Sequence, residues 1–136
     1  MVALNFMKRF APDVEQGIKR RTFRLESKRR PPRVGETLQL YTGMRTKSCR
    51  LLATAICTDV QGCILEVGRG RRGTVLLRVE TLGKGATAQH LSDIDALDEF
   101  ARRDGFDDWS ALVAFFRPRA DRHGRVQGNL IHWRPS

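Results

Sequence analysis

The residues of this chain best equipped for chemistry are cations. Arg21, Lys28, Arg29, Arg30, Arg45, Lys47 and Arg50 all fall in the first fifty positions. Their side chains donate hydrogen bonds and carry positive charge, which suits them to phosphate oxygens. Each alone reads as a solvated surface charge. Together they suggest a binding face, because neutralising a phosphate backbone is the main electrostatic term in nucleic-acid affinity. Arg24 can grip a planar oxyanion with two parallel bonds, or pair structurally with Asp104 or Glu26. Lys19 can serve as a general base, an electrostatic stabiliser or a phosphate contact, or lie solvated on a strand. Tyr41 can stack on an unpaired base, or sit in the core beside Leu38 and Leu40.

The charge behind these candidates is unevenly spread. The 136 residues carry a net +10. Residues 1–50 hold thirteen Lys/Arg against four Asp/Glu, a net +9, whereas residues 91–116 have a net −5. A field concentrated in this way attracts polyanions and speeds their encounter. The acidic stretch 93–108 offers an alternative role as a protein-binding surface. With 40% hydrophobic residues the composition is neither disordered nor membrane-like. No run approaches the ~20 apolar residues that span a bilayer. No secretory signal is visible, so a cytoplasmic location is expected. Cys49, Cys57 and Cys63 are spaced eight and six apart, unlike common zinc sites, and His90, His123 and His132 lie far from them. Reduced cysteines are expected, with no metal and no cofactor.

The elements that would position the cations follow from patterning. Residues 4–10 suggest a strand. Pro12, Asp13 and Glu15 suit a short helix that Gly17 stops. Residues 19–24 then alternate, with Lys19, Arg21 and Phe23 on one face and Arg20, Thr22 and Arg24 on the other. Charge on both faces predicts that at least one meets solvent or a ligand. Pro31 and Pro32 break a basic loop over 28–33. Further strands are expected at 37–41, 49–60, 64–67, 74–82 and 130–133, with a polar loop at 44–48 and a basic connection at 68–73. Ser92, with Asp95 three residues later, is expected to cap a helix carrying Ile94, Leu97, Phe100 and Ala101. Asp104-Gly105 ends that helix, and Asp107 or Asp108 starts another bearing Trp109, Leu112, Val113 and Phe116. Residues 119–126 read as a loop. The strands lack obvious edge protection, which closure into a barrel would explain.

The run Phe10-Ala11-Pro12-Asp13-Val14-Glu15-Gln16-Gly17-Ile18-Lys19-Arg20-Arg21-Thr22-Phe23-Arg24 resembles the signature of the ASCH domain family of the PUA-like superfamily. Gly35-Glu36-Thr37-Leu38 resembles its glycine-acid turn, and Ala101-Arg102-Arg103-Asp104-Gly105-Phe106 its acid-Gly-Phe element between helices. The resemblance implies an α+β fold: a small β-barrel of PUA/ASCH type with short helices packed around it, residues 1–136 forming a single domain. It implies an RNA-binding module, RNA ahead of DNA. It also admits an amidohydrolase acting on acetylated cytidine or a similar modified nucleoside, or a ribonuclease. In amidohydrolase-type members a lysine, a threonine and a glutamate form the active constellation. These map to Lys19, Thr22 and Asp104, the last one methylene shorter than glutamate. A hydroxyl needs an activating neighbour to act as a nucleophile, and a turn or bulge would have to bring Thr22 to Lys19.

Overall fold

A computed structural model describes residues 1–68, 73–81 and 85–136, with side chains omitted at 79–81 and 85–87. The strands are β1 (Val2–Phe6), β2 (Arg21–Leu25), β3 (Thr37–Thr42), β4 (Arg50–Glu66), β5 (Thr74–Thr81), β6 (Gly85–Leu91) and β7 (Arg125–Pro135). The helices are α1 (Ala11–Glu15), α2 (Ile94–Arg103) and α3 (Trp109–Phe116). The fold is α+β, with strand outweighing helix. The expected barrel is not formed. The strands run in the order β1-β3-β4-β5-β6, with β7 pairing β4 and β2, and the ends of that order do not meet. Barrel closure requires hydrogen bonds between first and last strands. Here β6, in a segment whose sequence carries no strand signal, instead prolongs one end. The sheet is open.

The described chain divides into two compact units. The first comprises Met1–Thr22, Arg29–Val60 and Ile131–Ser136; the second comprises Phe23–Lys28 and Gln61–Leu130.

In the first unit β1 runs parallel to β3, and β3 pairs antiparallel with β4. Leu4, Phe6, Leu38 and Leu40 are buried at alternating positions, as a one-sided strand pattern dictates. The β3–β4 register slips between Leu40 and Tyr41, so that Leu40 faces Ala53 while Tyr41 faces Leu51. That bulge inserts Leu52 as an extra residue and switches the parity of β4. Leu52 is therefore buried along with Ala55 and Cys57, although strict alternation would expose one set.

A 3-10 turn at Lys8–Phe10 leads into α1. Pro12 sits in the first turn of α1, where a missing N–H costs nothing. Gly17 ends the turn at φ 76°, a left-handed conformation that glycine adopts without steric cost. The N–H groups of Ile18 and Lys19 both donate to the Asp13 carbonyl, at 2.9 and 3.0 Å.

In the second unit β4 pairs with β5, and β5 with β6, both antiparallel. Asp93, rather than Ser92, caps α2 by accepting from the N–H groups of Asp95 and Ala96. Asp108 caps α3 by accepting from Ala111 at 2.8 Å. Leu97, Phe100, Leu112 and Phe116 fall at helical spacing and are buried. Phe23 meets Phe116 edge-on with ring centroids 5.3 Å apart, and Phe106 meets both Phe115 and Phe116. Gly128 lies against β2, and a Cβ there would overlap the Arg24 carbonyl oxygen. Most of the expected basic connection, residues 69–72, falls outside the described residues. Among the described residues no helix is long and apolar enough to cross a membrane.

Candidate nucleic-acid interface

The Gly17 turn fixes which way the following cations point. Lys19 enters the interior, only 3% exposed, whereas Arg20 remains outside. The Lys19 ammonium lies 5.3 Å from the centre of the Phe10 ring and 5.9 Å from that of Phe6. Burying an ammonium is costly, and the negative faces of two rings offset part of that cost. Thr22 is buried too, and Arg21 is only 6% exposed. The alternation at 19–24 therefore does not put a charged row on the surface. Arg21, a phosphate candidate by sequence, lies inside the protein and apart from the exposed cations.

Asp104 and Arg24 belong to the second unit, as does Lys28, which is exposed. The buried Asp104 carboxylate accepts the Phe23 N–H at 3.1 Å. Burial pushes the proton affinity of the Arg24 guanidinium down, and the charge of Asp104 opposes that shift. Asp104 is thus engaged in holding β2 and in compensating a half-buried arginine. Lys19 and Thr22 stand in the other unit.

The exposed cations of the first unit are organised differently. That unit holds twelve Lys/Arg against four Asp/Glu, a net +8. All but Lys19 and Arg21 are exposed. Arg45 and Lys47 stand on the loop at 43–49 between β3 and β4. The loop is held by its own bonds. The Thr46 hydroxyl donates to the Gly43 carbonyl at 2.6 Å, the Ser48 N–H donates to Thr46 Oγ1 at 3.1 Å, and the Met44 N–H donates to Asn5 Oδ1 at 3.0 Å. Gly43 permits the closure, since a Cβ there would stand 2.8 Å from the Ser48 carbonyl oxygen. Arg45 adopts φ 65°, the one described non-glycine residue at positive φ. That conformation costs roughly 1–2 kcal/mol for a side-chain-bearing residue. The loop thereby presents Arg45 and Lys47 outward, and among the described residues neither has an ion-pair partner.

Other exposed cations are partly neutralised. Arg30 grips Glu36 with two bonds, of 2.6 and 3.0 Å, and Glu36 also accepts the Arg33 N–H at 2.7 Å. These donors hold the Glu36 carboxyl at about 2, well below its ordinary 4.5. Arg50 pairs with Glu15 at the end of α1. Arg29 is exposed. Tyr41 is half-buried, and its hydroxyl donates to Gln39 Oε1 at 3.2 Å.

Next to the Arg50–Glu15 pair lies a feature that sequence reasoning missed. A cavity of about 200 Å³ opens between the end of α1 and the β3–β4 pair. Ala53, Pro135, Glu15 and Arg20 line it, over Leu40, Ala55 and Trp133, which are buried. The Arg20 Nε donates to the Gly17 carbonyl at 2.8 Å, and the Trp133 N–H to the Arg20 carbonyl at 3.0 Å. The sequence signal was the parity of Arg20, opposite to Lys19 after the glycine stop; Trp133 read simply as core. Among the described residues no group of three or more His, Cys, Asp or Glu is placed to hold a metal ion. All three cysteines are free thiols, with Cys49 exposed.

No family model, curated protein or solved structure matches the chain. The site therefore rests on its own geometry.

Proposed function

We propose that this chain is a nucleic-acid-binding module that holds single-stranded RNA, ahead of DNA, on the exposed cations of its first unit. The observation that carries this reading is the loop at 43–49, which fixes Arg45 and Lys47 outward at the expense of a left-handed arginine backbone. Strained backbone persists where the surroundings over-determine it, and it clusters at binding sites. A solubility charge needs neither fixed geometry nor strain. Arg50 follows the loop directly, and Glu15 joins Arg50 to the cavity beside Arg20. Arg20, Arg45, Lys47 and Arg50 thus supply cations along one continuous stretch of the unit. Phosphate contacts of this kind position a strand, while base contacts distinguish sequences.

The test is fluorescence anisotropy with a labelled single-stranded RNA of mixed sequence. Arg45→Ala/Lys47→Ala should weaken binding and flatten the salt dependence by about 1.4 in the slope of log K against log salt, about 0.7 for each phosphate no longer neutralised. Unchanged affinity and slope in the double variant would remove this loop from the interface.

A further inference from the structure

We propose that Tyr41 is a stacking platform for one unpaired base of the strand whose phosphates the loop at 43–49 holds. This inference rests on the nucleic-acid reading and names the group that contacts a base. The β1-β3-β4 sheet of the first unit has two faces. Leu4, Phe6, Leu38 and Leu40 point into the core, so Ala3, Asn5, Gln39 and Tyr41, which alternate with them, point the other way. The strand register sets Tyr41 between Asn5 of β1 and Leu51 of β4. Ala3 and Asn5 are exposed, and Leu51 is 47% exposed, so the face around Tyr41 meets solvent.

Two hydrogen bonds tie the ring and the cations to that face. The Tyr41 hydroxyl donates to Oε1 of Gln39, two residues back on the same strand and the same face. To reach it the ring lies along β3, with one broad side against the sheet and the other outward. Tyr41 is half-buried, as one covered side requires. The Met44 N–H donates to Asn5 Oδ1, so the loop carrying Arg45 and Lys47 is anchored on the β1 residue paired with Tyr41. An aromatic surface and two exposed cations therefore belong to one end of one sheet face. A single strand offers the matching pair at every nucleotide, a planar base and an anionic phosphate. A free anion would match the cations and leave the ring without a role. In a duplex the bases are stacked and paired inside, where the ring does not reach them. Every base has a π-face, so a contact of this kind selects unpaired strands and tolerates any sequence.

The experiment is fluorescence anisotropy at 50 mM salt with two labelled strands of equal length, a single-stranded RNA of mixed sequence and a ribose-phosphate strand lacking its bases. The native protein should bind the intact strand about five- to tenfold tighter, the lower range for one stacked base because only one side of the ring is open. Tyr41→Ala should lose that factor on the intact strand and none on the abasic one. Its salt slope should equal that of the native protein, because no phosphate contact is removed. Tyr41→Phe, which keeps the ring, should stay within about twofold of native affinity. Equal binding of both strands by the native protein, or full affinity in Tyr41→Ala, overturns the assignment. A Tyr41→Ala loss shared equally by the abasic strand marks a structural role and overturns it too. If the native protein still binds single-stranded RNA with steep salt dependence, only the platform has failed. If the native protein does not bind it at all, the underlying reading has failed.

Discussion

Replacing Asp104 by Asn tests the structural role of this carboxylate beside Arg24. The substitution keeps an amide oxygen that can accept the Phe23 N–H, the bond that measures 3.1 Å in the native protein. What it removes is the negative charge that opposes the desolvation of Arg24. Breaking a fully buried ion pair by deleting one partner costs about 3–5 kcal/mol. Arg24 is half-buried, so about 2–3 kcal/mol is expected. Asp104→Ala also leaves the Phe23 N–H without its acceptor, which adds about 1 kcal/mol or more. The assay is urea unfolding at pH 7 followed by far-UV circular dichroism, with the loss read from the midpoint and slope. A double-mutant cycle supplies the decisive control. In an Arg24→Met background the part of that cost owed to Arg24 is gone, so Asp104→Asn should cost less than it does in the native background. An equal cost in both backgrounds would refute the charge-compensation account.

Arg45→Gly should raise stability by about 1 kcal/mol, because glycine adopts φ 65° without strain, while weakening RNA binding; thermal unfolding and anisotropy measured on the same sample check both signs. Gly128→Ala should destabilise by more than about 2 kcal/mol, because the new methyl overlaps the Arg24 carbonyl and stands 2.9 Å from the Phe23 ring; chemical unfolding reads the loss. The Glu36 carboxyl should titrate at about 2 by carbon-detected NMR and move upward in Arg30→Gln. Since its folded value lies below its ordinary 4.5, its contribution to stability is present above pH 4.5 and is lost as the pH falls toward 2.

Local signals carried a good part of this fold. The alternation at 37–41 marked β3, Gly17 marked the end of α1, and Asp108 with Trp109, Leu112, Val113 and Phe116 marked α3. Non-local facts were not legible. Gln61, Gly62 and Cys63 fall between the strands expected at 49–60 and 64–67, yet β4 runs on through them, with Gly62 lying close under the side chain of Arg78. The segment Gly85–Leu91 has no large apolar residue before Leu91, and its identity as β6 comes from pairing with β5. Whether strand ends meet depends on that pairing, which is why closure could not be read from missing edge protection. The site was legible in the same uneven way. Arg45, Lys47 and Arg50 are exposed as their residue types suggest. Lys19 and Arg21 are not: both are buried, Lys19 beside the Phe6 and Phe10 rings, and tertiary packing overrides the default that charged residues lie outside. Glu15 escaped notice because a carboxylate at a short helix's end reads as an ordinary surface charge.

The central claim is that the exposed cations of the first unit bind a phosphate backbone, and the salt dependence of RNA binding tests it most directly. Four contacts, from Arg20, Arg45, Lys47 and Arg50, predict a slope of about −2.8 for log K against log salt with a single strand. Affinity should then fall about fiftyfold between 50 and 200 mM salt. Binding that ignores salt over that range, or no binding at 50 mM, would contradict the account.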